Sequence, residues 1–237
     1  METEAFDPEP APGAELVVLA GDIDSTWQAL SRFQGWPVPV LYVAGNHEFD
    51  HRELTDTWPA LRAHCDSLGL RLLERESTVI ADAAGRRIRF VGTVRWCDFN
   101  LFGETRRAKA MRAAGYFMHV MQSTLHGQHF GVTAVRDEAL ACREWLAAEL
   151  AKPCDGWDAT VAITHFGPSL LSADPRYGTQ VGTAAFTSPW NATGAFVVGS
   201  GRKAGMRTQQ WAGSVDDVRV WNRVALRSRG ARSNDYL

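Results

Sequence analysis

Val38-Pro39-Val40-Leu41-Tyr42-Val43-Ala44-Gly45-Asn46-His47-Glu48 carries more information than any other stretch of this 237-residue chain. Seven residues without a charge end at a glycine, and three side chains with nitrogen or oxygen donors follow at once. An apolar run of that length, bounded by turn residues, predicts a short, fully buried strand. The same arrangement occurs upstream, where Glu15-Leu16-Val17-Val18-Leu19-Ala20 runs into Gly21-Asp22-Ile23-Asp24, and downstream, where residues 159–163 run into Thr164-His165. In α/β sheets, ligands bind beyond the carboxyl ends of neighbouring strands. Asp22, Asn46, His47 and His165 are therefore expected to converge on one site.

Working outward, Asp24 or Ser25 is placed to cap a helix that presents Trp27, Leu30 and Phe33 on one stripe, which makes a strand–helix–strand unit. A second helix is predicted over 51–68 from Leu54, Trp58, Leu61 and Cys65, and a strand over 70–73. Residues 78–81 and 87–94 flank Asp82-Ala83-Ala84-Gly85 and read as a β-hairpin. Helices follow near 104–121 and 134–152, the latter amphipathic through Ala139, Cys142, Trp145, Leu146 and Leu150, and then a strand over 159–164. Helices and strands interleaved in this way define an α/β layered domain over residues 1–186. Beyond it the character changes: residues 195–199 and 213–222 read as strands, cations outnumber acids, and no amphipathic helix appears, so 187–237 is expected to be a separate β-rich tail.

A formal charge of -2 gives no reason to expect nucleic acid or an anionic membrane as partner. No apolar stretch reaches the roughly 20 residues that span a bilayer, and the acidic start Met1-Glu2-Thr3-Glu4 is unlike a signal peptide, so a cytoplasmic protein is expected. Cys65, Cys97, Cys142 and Cys154 are scattered, without a C-x-x-C pair, and read as reduced thiols.

A mixed Asp, Asn and His set suits Mn, Fe or Zn. Asp22 has two oxygens and can bridge two metals, Asn46 offers an amide oxygen, and His165 a ring nitrogen. His47 is left to protonate a leaving alkoxide or steady phosphoryl oxygens. Blander readings stand beside these. Asp24 is a helix cap before it is a ligand, His126 and His129 form a surface pair, and Trp96-Cys97-Asp98-Phe99 is as readily a core cluster as part of a cleft.

Gly-Asp at 21–22, Gly-Asn-His-Glu at 45–48 and a strand-ending His165 resemble the calcineurin-like metallophosphoesterase family over about residues 1–186. The resemblance implies a four-layer α/β/β/α sandwich and a dinuclear centre whose hydroxide attacks a phosphate ester. In it, Asp22 is the bridging carboxylate, Asn46 and His165 are metal ligands and His47 is the catalytic acid. The family's Asp-x-His and Gly-His-x-His motifs are absent, since no histidine precedes His47 and none follows His165. A full dinuclear centre is therefore not expected; one weakly held divalent ion and impaired hydrolysis of a phosphorylated small molecule or other phosphoester are. Residues 2–8 resemble the segment just after the missing Asp-x-His, which places Met1 just beyond a lost first strand. The tail resembles the closing strands of a laminin-G-like (concanavalin-like) jelly roll. Together these suggest a truncated chimera, with self-association through open strand edges. The alternative function is a non-catalytic binding or assembly module.

Overall fold

Local sequence sets the first element of the parallel sheet and its stop. Residues Val17–Leu19 form β1 and Val40–Tyr42 form β2, parallel and in register Val17 to Val40, Val18 to Leu41 and Leu19 to Tyr42. The protein is described by a computed structural model over residues 9–10, 12–168, 170, 179–188, 200–203 and 206–210. Between β1 and β2 the predicted stripe closes as a 3-10 helix, Gln28–Phe33, which buries Leu30 and Phe33. The residue at the start of this helix is Trp27 and not Asp24 or Ser25; the Asp24 carboxylate closes the turn before it, accepting from the backbone N–H groups of Thr26 and Ala29 at 3.0 Å each.

Helix α1, Leu54–Leu68, starts where the Glu53 carboxylate accepts from the Thr55 N–H and stops at Gly69, whose φ of 75° is left-handed. It buries Leu54, Leu61 and Cys65 against Tyr42 and Leu72. Strand β3, Arg71–Leu72, adds to β2 in parallel, giving the sheet order β1-β2-β3. This order corrects one expectation. Only β2 is buried throughout; among the described residues β1 stands at the edge of this sheet, and Val18 is 42% exposed.

The second sheet begins with the predicted hairpin, β4 (Glu76–Ala81) antiparallel to β5 (Arg87–Thr93), which the Asp82 carboxylate closes by accepting from the N–H groups of Ala84 and Arg86. Helix α2 is Glu104–Met121; β6 (Thr124–Leu125) and β7 (Gln128–His129) form a short antiparallel hairpin; and α3 is Val132–Ala151. Strand β8, Ala159–Thr164, returns parallel to β5, so the order is β4-β5-β8. His126 and His129 are the exposed pair expected, carried by this hairpin, where His126 and Gly127 turn the chain with φ of 53° and 72°.

The two sheets meet face to face through Leu41, Val43 and Leu73 of the first and Ile88, Phe90 and Ile163 of the second. Behind the second sheet α3 packs with the Cys142 thiol 3.3 Å from the Thr93 hydroxyl, which donates to it. The mixed α/β class read from the sequence is what forms. No helix among the described residues is long and apolar enough to cross a membrane. The strands predicted over 195–199 and 213–222 lie outside the described residues; between them, β9 (Ser200–Lys203) and β10 (Met206–Gln210) form an antiparallel pair. All four cysteines are free thiols.

Candidate functional site

The carboxyl ends of β1, β2 and β8 come together because two glycines let their backbones touch. A Cβ on Gly21 would lie 2.5 Å from both the Gly45 nitrogen and His165 Nδ1, and Gly21 has φ of +90°. A Cβ on Gly45 would lie 2.1 Å from Asp22 Oδ1. Only glycine fits either place. Asp22, next in the chain, also sits left-handed, with φ of 54°.

Three of the four expected residues gather there. His165 Nδ1 is 2.8 Å from the carbonyl oxygen of Ala20. That oxygen can only accept, so Nδ1 carries the proton and Nε2 presents its lone pair. Nε2 faces Asn46 Oδ1 at 3.3 Å and Asp22 Oδ2 at 3.5 Å. Asp22 and His165 are 8% and 4% exposed, so water does little to screen them. His165 Nε2 thus has two oxygens within 3.5 Å of it in a buried place.

The donor set fits an ion. Ligand bonds of about 2.1 Å put neighbouring ligand atoms roughly 3.0–3.4 Å apart, close to the spacings here. A ligating histidine also commonly donates its other N–H to a backbone carbonyl, as His165 does to Ala20. The set is nonetheless small. Among the described residues no group of three or more His, Cys, Asp and Glu side chains is arranged to hold a metal, so Asn46 is needed as the third ligand and a two-ion centre has no second set. His126 and His129 do not supply one.

His47 stands beside this triangle and points away. Its backbone N–H donates to Asp22 Oδ1 at 3.0 Å, while its ring Nδ1 meets Asp50 Oδ2 at 2.8 Å. The Asp50 hydrogen bond, against the opposing effect of burial and with help from the charge of Asp22, pushes the imidazole up to about 9. It is a cation at neutral pH, with 29% of its side chain open to solvent.

Sequence reasoning missed the residue that builds the site. Glu48 is wholly buried, and its carboxylate accepts from the backbone N–H groups of Gly45 (2.8 Å), Asp22 (3.1 Å) and Ile23 (2.8 Å). It thereby ties the loop after β1 to the loop after β2. Burial and then the negative charge of Asp22 raise its pKa. The available signal was an acid four residues past a buried strand, among turn N–H groups lacking partners. The neighbouring Trp96, Cys97, Asp98 and Phe99 are each 2% exposed or less, which supports the core reading of that run. A groove of about 590 Å³ lies elsewhere, along Arg62, Leu72 and Thr78, and none of the four expected residues lines it.

No family model matches the chain, and no curated protein matches it. Among solved structures, the chain is similar to the phosphopantetheinyl hydrolase of Mycobacterium tuberculosis, with a TM-score of 0.53 and 16% identity over 82% of this chain and 77% of that one. At that identity the likeness carries the fold alone. The resemblance to the calcineurin-like metallophosphoesterase family is therefore overturned, and the laminin-G-like reading of the tail with it. The physical reason is visible in the site. Gly21 and Gly45 are what two closely approaching strand ends demand, and Glu48 is what their unpartnered N–H groups demand, so much of the quoted motif is architecture.

Proposed function

We propose that this chain is a hydrolase of phosphoesters that uses a single divalent ion, Mn, Fe or Zn, held by Asp22, Asn46 and His165. The supporting observation is the meeting of three lone-pair donors at 3.3 and 3.5 Å around a buried imidazole whose far side is fixed by the Ala20 carbonyl. The similar solved protein is named for hydrolysis of a phosphopantetheinyl group, a phosphate-bearing moiety, which agrees with this reaction class. On this reading the two facing sheets, with α1 outside one and α3 outside the other, form a four-layer α/β/β/α sandwich that carries the site at its strand ends.

Such an ion, when bound, activates water and draws charge from a phosphoryl oxygen. The chain's own residues do the rest. Asp22 and Asn46 orient their oxygens inward, and the Ala20 carbonyl holds His165 in the tautomer that presents Nε2. His47, kept protonated by Asp50, holds its proton for a leaving alkoxide and attracts the phosphate's negative charge. Activity is low, because three ligands hold an ion less firmly than a complete set. The substrate is a phosphorylated small molecule or another phosphoester in the cytoplasm.

The test is metal content by mass spectrometry after loading with Mn or Zn, paired with metal-dependent hydrolysis of an aryl phosphate diester. The expected result is up to one ion per chain and slow turnover, both lost in Asp22→Ala, with only turnover lost in His47→Gln. Zero metal, with the same background rate in every variant, refutes the proposal.

A further inference from the structure

Arg95 is an unusual residue to find at the end of a central strand. It follows β5 with a left-handed φ of 53° and is 2% exposed. Burying a guanidinium is costly unless its hydrogen bonds are made, and left-handed backbone at a residue with a Cβ adds strain. Both costs go into one arrangement. One terminal nitrogen of Arg95 donates to the Gly167 carbonyl at 3.3 Å, and the other donates to the Ser188 carbonyl at 2.9 Å.

Gly167 is two residues past His165, and its carbonyl is a hub, since the Ser188 N–H donates to it as well, at 3.1 Å. The Gly167 N–H donates to the Phe186 carbonyl at 3.2 Å, and the Phe166 N–H to the Val94 carbonyl at 3.3 Å. Asp98 completes the frame. Its carboxylate accepts from the Ser188 hydroxyl and, at 3.0 Å, from Arg143 on α3. The Phe166 ring packs against both His165, 4.7 Å between centroids, and Trp96, at 5.8 Å. The turn bearing His165 is therefore held on one side by Ala20 and on the other by the residues that follow β5, with Arg95 at the centre.

We propose that Arg95 is the positioning residue of His165: its guanidinium, by bridging the carbonyl oxygens of Gly167 and Ser188, fixes the turn that aims the imidazole at Asn46 and Asp22. The inference rests on the reading of His165 as an ion ligand for its purpose, and on geometry alone for its mechanism.

The experiment compares Arg95→Met and Arg95→Lys with a control, Arg89→Met, in the full chain. Arg89 is also a buried arginine of β5, 3% exposed, but its bonds among the described residues run to Glu149 and Thr160 and not to the His165 turn. The main readout is the His165 Nδ1 proton resonance in nitrogen-15-labelled protein, assigned by its absence in His165→Asn, together with its exchange rate with solvent. Arg95→Met is expected to shift that resonance and speed its exchange at least about tenfold, and to weaken Zn²⁺ binding by about 10–100-fold. Arg95→Lys, which keeps the charge and reaches one carbonyl, is expected to fall between Met and wild type. Arg89→Met is expected to lower the melting temperature and leave the resonance and Zn²⁺ affinity in place. Wild-type exchange in Arg95→Met, or equal disturbance by Arg89→Met, overturns the proposal; should Arg95→Met fail to fold, wild-type exchange in Arg95→Lys does the same. If the wild-type chain binds no Zn²⁺, the ion-site reading fails by itself, while the proton exchange still decides the role of Arg95.

Discussion

Two buried glutamates, Glu48 and Glu149, are 0% and 6% exposed, yet their surroundings shift them in opposite directions. Glu149, near the end of α3, lies beside cations. Arg89 is 3.5 Å away and Lys152 2.5 Å, and the Ser77 hydroxyl donates at 2.9 Å. Although burial works against it, these partners bring its pKa below the ordinary carboxylate value. Glu48 has no cationic Arg or Lys. It has backbone N–H groups and the nearby charge of Asp22, and its pKa rises. The end of the molecule at Glu149 neutralises its own charge with its own side chains. The end at Glu48 holds Asp22 and Glu48 with histidines, not Arg or Lys, beside them: His47, whose ring is drawn toward its charged form in part by Asp22, and His165, 3.5 Å from Asp22. That reliance on imidazole in place of Arg and Lys is what separates the two ends.

The sharpest test of this contrast removes one carboxylate at a time. Glu48→Ala orphans three N–H donors, two buried and one half-buried, each worth about 1–3 kcal/mol, so a loss on the order of 4 kcal/mol is expected in urea unfolding followed by circular dichroism. A loss below about 1 kcal/mol would mean that the two loops are held by something else. At the other end, Arg89→Met alone is expected to cost about 3 kcal/mol, because it takes away the buried cation of Glu149 and leaves only the more exposed Lys152, whereas Arg89→Met with Glu149→Leu recovers most of that loss. Failure of the double variant to recover would show that the pair is more than a neutralised structural contact. Gly45→Ala drives a Cβ into Asp22 Oδ1 and is expected to cost about 2 kcal/mol while displacing the Asp22 carboxylate. Zn²⁺ affinity measured alongside the melting temperature separates those two effects.

The smallest expected effect is a pH dependence. The His47 pKa is about 9 in the folded chain and 6.5 ordinarily, so the protonated ring favours folding. That stability is fully present below about pH 6.5 and is lost as pH rises through about 9. Solvent reaches the ring, so the change is on the order of 1–2 kcal/mol. Urea midpoints between pH 6 and 10 should fall for the wild type and stay flatter for Asp50→Asn. Equal slopes would remove Asp50 as the cause.

The edge position of β1 shows where a sequence pattern stops being informative. An apolar run is needed for a strand buried on both faces, but Val18 is apolar and still exposed, because strand order decides which strand has neighbours on both sides. His47 shows the same for chemistry. Its place after Asn46 was plain, yet its partner, Asp50, three residues on, faces it only because His47–Phe49 closes as a 3-10 turn.

By itself the chain determined what is local: alternating helices and strands, hence an α/β class, and the placing of Asp22, Asn46, His47 and His165 just past apolar runs. These are legible because periodicity, caps and turn residues act within a few positions of one another. Only the tertiary structure decided that Glu48 ties the two loops together and that the carbonyl of Ala20, 145 residues away, sets the tautomer of His165. It also decided that Arg95 reaches Gly167 and Ser188. Contacts of that kind depend on which chain ends are brought to one place, and a backbone carbonyl or N–H has no letter in the sequence to mark it.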